Sequence, residues 1–279
     1  MFSRASDWAL RVYGRIPFPH KGRDRLVAAL SAQAKPLWHG SRSMTRRGFS
    51  IETDFGADDV GHMLYCYGCL DYWDEMAIRR LVKHRAVCFD IGAHIGYYSL
   101  LFSSAVGPEG QVFSYEPVPQ TFSFLSRNVA KNLARNVAIH QLAVGDSEGI
   151  VRIACGGELP LGWSRIRESG GVEVRCTTID AEVSRLELTR VDFVKVDVEG
   201  YESHVFDGAK NTFARLRPTV MFEVNASALR EQDAVPSRIF DILASHGYEF
   251  FATQKRKLRR IRQFPEEPSF YNVFALPAS

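Results

Sequence analysis

Short apolar runs alternate with amphipathic segments along most of the chain after residue 70. Each apolar run is typical of a buried strand, and each intervening segment has apolar residues at helical spacing. Strands that alternate with helices indicate βαβ units, parallel pairing and right-handed crossovers. The predicted strands are AVCFDI, GQVFSYEP, VAIHQLAVGD, VDFVKVDVEG, PTVMFEVN, YEFFAT and SFYNVFALP. The pattern therefore predicts an α/β fold with a doubly wound, mostly parallel seven-stranded sheet.

Two parts of the chain depart from this rhythm. Residues 1–70 are a predicted N-terminal extension with a helix, DRLVAALSAQA, that Pro36 ends, and a short hairpin from RRGFSIETDF onwards. Residues 71–279 are the predicted main domain. A predicted β-insertion at about 147–180, built from GIVRIACG and GVEVRCTTID, interrupts this domain.

Composition and charge narrow the class of protein. The chain has 279 residues and a net charge of +3, which is too small to indicate nucleic acid by itself. No apolar run approaches the roughly 20 residues of a membrane span, and the N-terminus lacks the apolar region of a signal peptide. The pair Cys66 and Cys69 lacks the second pair or the histidines that a zinc site needs. We expect a reduced, cytoplasmic protein.

Acidic residues stand at the ends of three successive predicted strands. Asp90 ends the first, and Gly92 and Gly96 then permit a tight turn and a close approach of backbone to ligand. Glu116 ends the second strand, 20 residues after Gly96, where an acid accepts hydrogen bonds from the two ribose hydroxyls. Asp146 ends the third, where an adenine amino group can be bound. Together these residues predict a nucleoside ligand.

The turn after the first strand limits the kind of nucleotide. It reads G-A-H-I-G and lacks the middle glycine that admits a pyrophosphate in dinucleotide-binding folds. Asp90 would also repel phosphate, whereas a carboxylate attracts an ammonium group. A nucleoside with a cationic amino-acid tail meets both conditions, and S-adenosylmethionine is such a molecule. This reading argues against the alternative of a nicotinamide-dependent oxidoreductase.

The chain resembles the FkbM-type methyltransferases in FDIGAHIGYYSL, VFSYEPVPQTFSFLSRNVAKN, HQLAVGD, TTID and VDFVKVDVEGYESHVFDGA. The resemblance covers about Asp71 to Val224. It implies a class I, Rossmann-like, S-adenosylmethionine-dependent enzyme, most often an O-methyltransferase. The resemblance also implies which residues bind the donor. Glu116 binds the ribose. The methionine moiety is surrounded by Asp90, Gly92, Ala93 and Gly96, and the adenine lies near Ala143, Val144 and Asp146.

Polar side chains interrupt two strands that should be apolar on both faces. In VDFVKVDVEG, Lys195 and Asp197 share one face, and in VMFEVN, Glu223 and Asn225 do so. The pattern makes Asp197 or Glu223 the candidate general base for a hydroxyl acceptor. Lys195 either stabilises the developing alkoxide or neutralises the acids.

Two other interpretations of these polar residues stay open. One is a purely structural ion-pair network. The other is a divalent metal site formed by Asp197, Glu223 and Asn225, whose hard oxygens suit Mg²⁺. We do not favour the metal, because water and substrate would have to complete its octahedron.

The acceptor is the least determined part of the reaction. We expect a hydroxyl on a small molecule or a glycan, and the run QKRKLRRIRQF, with six basic residues from Lys255 to Arg262, fits an acidic acceptor or a membrane surface. The same run is also compatible with a solvated hairpin. An RNA methyltransferase and a catalytically inactive nucleoside-binding module are the alternatives; nucleic acid is not expected, since no basic surface has interleaved aromatic residues. A homo-oligomer is compatible with the sequence.

Overall fold

The computed structural model describes residues 8, 41–46, 48–54, 59–154, 165–166, 171–225, 236–262 and 270–278. The chain divides into two compact units, with the main division between Tyr72 and Trp73. The predicted boundary at residues 70 and 71 stays a prediction. The predicted N-terminal helix DRLVAALSAQA lies outside the described residues.

The first unit contains a hairpin followed by a helix. Strands β1 (Ser41–Arg46) and β2 (Phe49–Asp54) pair antiparallel, and Gly48 supplies the positive φ of 93° in their turn. Helix α1 (Asp59–Tyr67) begins close to β2. A Cβ atom at Gly61 would lie 2.6 Å from the side chain of Thr53, so the helix is in contact with the hairpin.

The second unit contains the remaining elements. Its helices are α2 (Tyr72–Leu81, the first residue of which belongs to the first unit), α3 (Tyr97–Val106), α4 (Pro119–Lys131), α5 (Ile179–Arg185), α6 (Glu202–Asp207), α7 (Lys210–Arg215) and α8 (Pro236–Ser245). Its strands are β3 (Val87–Ile91), β4 (Gln111–Tyr115), β5 (Val137–His140), β6 (Ala143–Val144), β7 (Gly149–Ala154), β8 (Arg165–Ile166), β9 (Val172–Thr177), β10 (Phe193–Val196), β11 (Thr219–Asn225), β12 (Tyr248–Gln254), β13 (Lys257–Arg260) and β14 (Phe270–Pro277).

The large sheet confirms the predicted doubly wound α/β fold. Its order is β13-β12-β14-β11-β10-β3-β4-β5, and β3, β4, β5, β10 and β11 are parallel. Strand β14 runs antiparallel between β11 and β12. All seven predicted strands contribute to this sheet, and β13 adds an eighth at its edge. Because strand order reverses between β3 and β10, this is the topological switch point where ligands bind in open α/β sheets.

One predicted strand is divided in the structure. VAIHQLAVGD was predicted as a single strand, but only β5 joins the large sheet. Residues Ala143 and Val144 instead form β6, which pairs with β9 in a second sheet of order β6-β9-β7-β8. The reason is that β5 is an edge strand with no fully buried side chain, whereas pairing with β9 buries both residues of β6.

The two faces of the large sheet differ at its centre. On one face Phe89, Ile91, Val194 and Val196 are fully buried in the main hydrophobic core. The next residue along each strand points to the opposite face. There the fully buried Asp90 lies directly across from Lys195 of the neighbouring strand. A polar cluster thus occupies the central face next to the switch point.

Candidate active site

The candidate site lies at the carboxyl edge of the large sheet. Parallel strands end at the same edge, so the segments that follow β3, β4 and β10 lie there beside the end of β11. Gly92, Glu116 and Asp197 begin these three segments. Glu223 and Asn225 are among the last residues of β11. The contacts below connect them into one arrangement.

Gly92 joins the segment after β3 to the segment after β10. Its φ is +75°, and a Cβ atom at this position would lie 1.8 Å from the carbonyl oxygen of Asp197. The amides of Gly92 and Ala93 donate to the carbonyl of Tyr115, at 3.0 and 2.9 Å. Three strand ends therefore meet at Gly92, where any side chain would collide with the carbonyl oxygen of Asp197.

The turn continues to Gly96, which precedes helix α3 with φ of +92°. A Cβ atom at Gly96 would lie 2.7 Å from the side chain of Leu125 in α4. The side-chain amide of Asn128 in α4 also donates to the carbonyl of Ile95, at 2.7 Å. Helix α4 thus packs against the loop from 92 to 96 and holds the backbone of this loop in place.

Glu116 lies across from this loop. One carboxylate oxygen accepts from the amide of His94 at 3.0 Å, and the other accepts from the amide of Val118 at 2.9 Å. Burial raises the pKa of Glu116 to about 7, although both amides favour the charged form. Each oxygen keeps a further lone pair. The chemistry of this position therefore fits a ligand with two neighbouring hydroxyls.

Ala143 and Val144 lie buried in β6, and Asp146 follows them at the surface. The Asp146 carboxylate lies 2.7 Å from Nδ1 of His204 and accepts from the Ser147 hydroxyl at 2.9 Å. The contact with His204 is the main reason that the pKa of Asp146 is lowered. The ring of Tyr201 stacks on His204 with centroids 4.0 Å apart. The sequence did not single out this contact, because His204 is 58 residues away from Asp146.

Asp90 has no exposed surface, and one of its carboxylate oxygens is hydrogen-bonded. Its carboxylate accepts from the Ser99 hydroxyl at 2.6 Å, and Ser99 in turn accepts from Ser114 at 2.9 Å. Its other oxygen lies 3.6 Å from Nζ of Lys195. Burial raises the pKa of Asp90, and the Lys195 ammonium opposes that shift. Asp90 therefore anchors the centre of the polar cluster.

Lys195 is the cation at the centre of this cluster. Its Nζ lies 3.1 Å from Asp197 and 4.7 Å above the ring of Tyr98. Burial alone would lower the pKa of this buried lysine, but Asp197 and Asp90 outweigh burial and raise it. Lys195 is thus held as an ammonium ion between two carboxylates, and its side chain is only 4% exposed.

Asp197 is the member of the cluster that reaches solvent, with its side chain 31% exposed. Burial acts to raise its pKa, yet Lys195 and a hydrogen bond with Glu223 lower it. Glu223 behaves in the opposite way, because burial and the charges of Asp197 and Glu199 raise its pKa well above the usual value. Of these two carboxyl groups, Asp197 is therefore the one that favours the ionised form, and Glu223 the one that favours the protonated form. Asn225, also buried, follows Glu223 at the end of β11.

Glu202 is a part of this edge that the sequence did not single out. Its buried carboxylate accepts from the amides of Val198 and Gly200, both at 3.2 Å. Glu199 and Gly200 have left-handed φ values of 54° and 99°, so the turn after Asp197 is a tight one. Burial raises the pKa of Glu202 to about 7. The signal was an acid at the first position of a helix, two residues after a glycine.

Helix α2 contributes two further buried acids that sequence reasoning missed. Asp74 accepts from Asn272 at 2.8 Å and from Thr253 at 2.7 Å, and Asn272 is the cross-strand neighbour of Glu223. Glu75 accepts from the hydroxyl of Tyr97 at the start of α3. These contacts fix α2 on the face of the sheet that carries the polar cluster.

Among the residues that the structure describes, no group of three or more His, Cys, Asp or Glu side chains is arranged to hold a metal ion. No helix within the same residues has the length and apolar character of a membrane span.

Comparison with known proteins identifies the family of this chain. The Methyltransferase FkbM domain matches residues 90–250, which is more than half of the chain. Hexuronic acid methyltransferase AglP of Haloferax volcanii is 26% identical over 160 residues, which cover 56% of this chain and 64% of AglP. The chain thus spans less than two thirds of that relative. Methyltransferase sdnD of Sordaria araneosa is 28% identical over 177 residues, 51% of this chain and 68% of sdnD.

The solved structures include Methyltransferase FkbM from Methylobacillus flagellatus KT, at 15% identity and a TM-score of 0.45, covering 98% of this chain and 58% of that chain. The family match itself begins at Asp90 and includes Glu116, Asp146, Lys195, Asp197 and Glu223. This chain belongs to the FkbM methyltransferase family.

Proposed function

We propose that this protein transfers a methyl group from S-adenosylmethionine to a hydroxyl of a small molecule or a glycan. The observation that carries the proposal is the juxtaposition, at one switch point, of the Gly92–Gly96 turn with Glu116 and the partly exposed Asp197. The first two fit a nucleoside, and the third is an ionised carboxylate next to them. A methyltransferase needs both parts side by side.

The donor half of the proposal rests on chemical fit. S-adenosylmethionine supplies a methyl group on a positively charged sulfur. Glu116 would accept from the ribose hydroxyls, and Asp146, held by His204, would lie near the adenine with Ala143 and Val144. Asp90 has no exposed surface, so its role would be to hold Lys195 and the loop that begins at Gly92 and Ala93, and to add negative potential near a cationic ligand.

The acceptor half of the proposal states which residue takes the hydroxyl proton of the acceptor. Asp197 would accept the hydroxyl proton as the acceptor oxygen forms its bond to the methyl carbon. The electrons of the broken carbon–sulfur bond would remain with the donor, which would become a neutral thioether. Lys195 is enclosed between Asp90 and Asp197, so it acts as their counter-ion. Glu223 donates to Asp197 and so orients its carboxylate.

The class of acceptor is supported by the relatives. The name of AglP is hexuronic acid methyltransferase, which favours a sugar acceptor. We include a cytoplasmic location in the proposal, because Cys88 and Cys176 are free cysteines.

The donor assignment is tested by calorimetry. We expect S-adenosylmethionine and S-adenosylhomocysteine to bind and NAD not to bind. Glu116→Ala should weaken binding of S-adenosylhomocysteine by about 1–3 kcal/mol, because charged hydrogen bonds to the ribose are lost. Glu116→Gln keeps the shape and should weaken binding in the same direction. Unchanged affinity in a folded Glu116→Gln protein would remove Glu116 from the ribose role.

The pKa of Glu116 gives this test a pH dependence. Only the ionised carboxylate accepts hydrogen bonds with both oxygens at full strength. Since the pKa is raised to about 7, the ionised fraction, and with it the affinity for S-adenosylhomocysteine, should increase from about pH 6 to about pH 8. Glu116→Gln should show no such increase. A pH-independent affinity in the unsubstituted protein would contradict the assignment.

Metal dependence is tested by chelation. We expect methyl transfer to continue in EDTA, because an ionised Asp197 serves as base without a metal. If EDTA abolishes turnover and Mg²⁺ restores it, the alternative site of Asp197, Glu223 and Asn225 replaces this mechanism. Zn²⁺ added to the same sample serves as a control for metal type.

A further inference from the structure

Strand β13 and its flanking residues carry a dense positive charge, and we call residues 255–262 the basic hairpin. Six of its eight residues are cationic, and all six are exposed: Lys255, Arg256, Lys257, Arg259, Arg260 and Arg262. The other two, Leu258 and Ile261, are half-buried. The proposed chemistry uses none of these residues.

The basic hairpin starts at the same sheet edge as the candidate site. Strand β14 is antiparallel to both β11 and β12, so β12 runs parallel to β11 and ends at the carboxyl edge. The turn of Lys255 and Arg256 directly follows that end. With β12 three strands from β10, a strand spacing of about 4.8 Å places the turn roughly 14 Å from the line of β10. An oligomeric acceptor spans that distance.

Among the described residues, four of these six cations have no ion-pair partner. Arg260 pairs with Glu249 at 2.6 Å. For Lys255, Lys257, Arg259 and Arg262, the part of the chain that the structure describes offers no ion pair. Unpaired cations at one exposed edge create a local field that attracts anions over about 10 Å in 0.1 M salt.

Protection of an exposed sheet edge accounts for only part of this pattern. Charged residues on an edge strand do prevent pairing with other chains. That explains Lys257 and Arg259, whose side chains alternate with Leu258 along β13. Edge protection does not explain Lys255 in the turn or Arg262 beyond the strand, since neither residue lies in a strand to which another chain could hydrogen-bond.

The surroundings favour a polyanion over a membrane or RNA. A membrane-binding segment inserts apolar or aromatic side chains, and the basic hairpin has only two apolar residues, both half-buried. It also contains no aromatic residue on which a base could stack. Lys257 and Arg259 lie on one face about 7 Å apart, as two residues of a strand do, which suits an oligomer with repeated charges.

We infer that the basic hairpin binds carboxylate groups of an oligosaccharide acceptor, on sugars beyond the one whose hydroxyl is methylated. The inference rests on the proposed function, because it assigns the substrate class of that same site. Arginine forms paired hydrogen bonds with carboxylates, so the hairpin adds orientation as well as charge. It holds the distal part of the acceptor while the reacting hydroxyl lies near Asp197.

The test compares two double variants that remove the same charge. Lys257→Ala/Arg259→Ala removes two exposed cations from the basic hairpin. Arg135→Ala/Arg215→Ala removes two exposed cations that lie just before β5 and β11, at the opposite edge of the sheet. The probes are fluorescently labelled oligogalacturonate and a labelled neutral malto-oligosaccharide, measured by fluorescence anisotropy.

We expect oligogalacturonate to bind and the hairpin variant to bind about 10-fold more weakly, with the control variant within about 2-fold, since an exposed charge contributes up to about 1 kcal/mol. The difference should disappear in about 1 M salt, where the Debye length is about 3 Å. The neutral probe should be insensitive to both variants. Equal loss in both variants, or none, would overturn the inference.

Two competitors test which kind of anion the basic hairpin binds. Inorganic polyphosphate and vesicles containing phosphatidylserine are added to the oligogalacturonate complex. Displacement only at high concentration supports a carboxylated glycan, whereas tighter binding of polyphosphate or vesicles by the same hairpin residues overturns it. Binding of S-adenosylhomocysteine is measured in parallel. If it binds while the hairpin variant behaves like the control, the inference fails and the proposed function stands; if it does not bind, the proposed function itself fails.

Discussion

Asp197→Asn should reduce turnover by about 10²-fold or more at saturating donor and acceptor. The substitution preserves the shape of the side chain and removes the charge that would accept the hydroxyl proton. Donor affinity should be retained, because the proposed nucleoside contacts are on the segments after β3, β4 and β6. The measurement is steady-state turnover with isotopically labelled S-adenosylmethionine, alongside calorimetry with S-adenosylhomocysteine and a thermal melt.

Asp192→Asn is the matched control for this experiment. Asp192 directly precedes the same strand, β10, at the opposite sheet edge, and it too is paired with a cation, Arg190, at 2.8 Å. Its substitution should leave turnover within about 2-fold, because a surface ion pair contributes at most about 1 kcal/mol. A wild-type rate in Asp197→Asn would end the catalytic assignment. If Asp197→Asn has a lower melting temperature but normal turnover below that temperature, Asp197 belongs to a structural ion pair instead.

Lys195→Met should lower the free energy of unfolding by about 3–5 kcal/mol, the cost of leaving a buried charge without its partner. Asp90 has no exposed surface, and Lys195 is its nearest cation. Methionine has a similar length, so packing changes little. Chemical denaturation followed by circular dichroism measures the effect. Lys257→Met, at an exposed lysine, should stay within about 0.5 kcal/mol of the unsubstituted protein.

The loss in Lys195→Met should depend on pH. Burial already raises the pKa of Asp90, and removal of the ammonium raises it further. A carboxyl group with a raised pKa in the folded state contributes most stability at low pH, and loses that contribution as the pH rises through its folded pKa. The deficit should therefore be larger at about pH 8 than at about pH 5.

A second substitution separates charge from packing. Asp90→Asn in the Lys195→Met background removes the charge that lacks a partner, so part of the lost stability should return. A double variant as unstable as the sum of the two single variants would show that Asp90 and Lys195 are not coupled. In that case the cluster is held by packing and hydrogen bonds rather than by its ion pairs.

The alternation of strands and helices determined the fold at the level of the sequence. Buried parallel strands are apolar and are joined by helices. The sequence therefore shows short apolar runs that alternate with amphipathic segments. The position of the switch point followed from the same pattern, since Asp90 stands near the end of one of these strands and Gly92 and Glu116 directly follow two of them. The polar alternation in VDFVKVDVEG predicted that Lys195 and Asp197 share a face, and their side chains lie 3.1 Å apart.

Only the tertiary structure decided which side chains are partners. The ion pair of Lys195 with Asp90 depends on β10 pairing with β3, and the contact of Asp146 with His204 depends on α6 lying next to the segment after β6. The roles of Glu202 and Asp74 became apparent only from the amides and side chains that they contact. The division of VAIHQLAVGD into two strands depends on the position of β9. Periodicity records what each residue requires of its own strand or helix, whereas these contacts join segments that are distant in sequence, and nothing in the local pattern encodes such a distance.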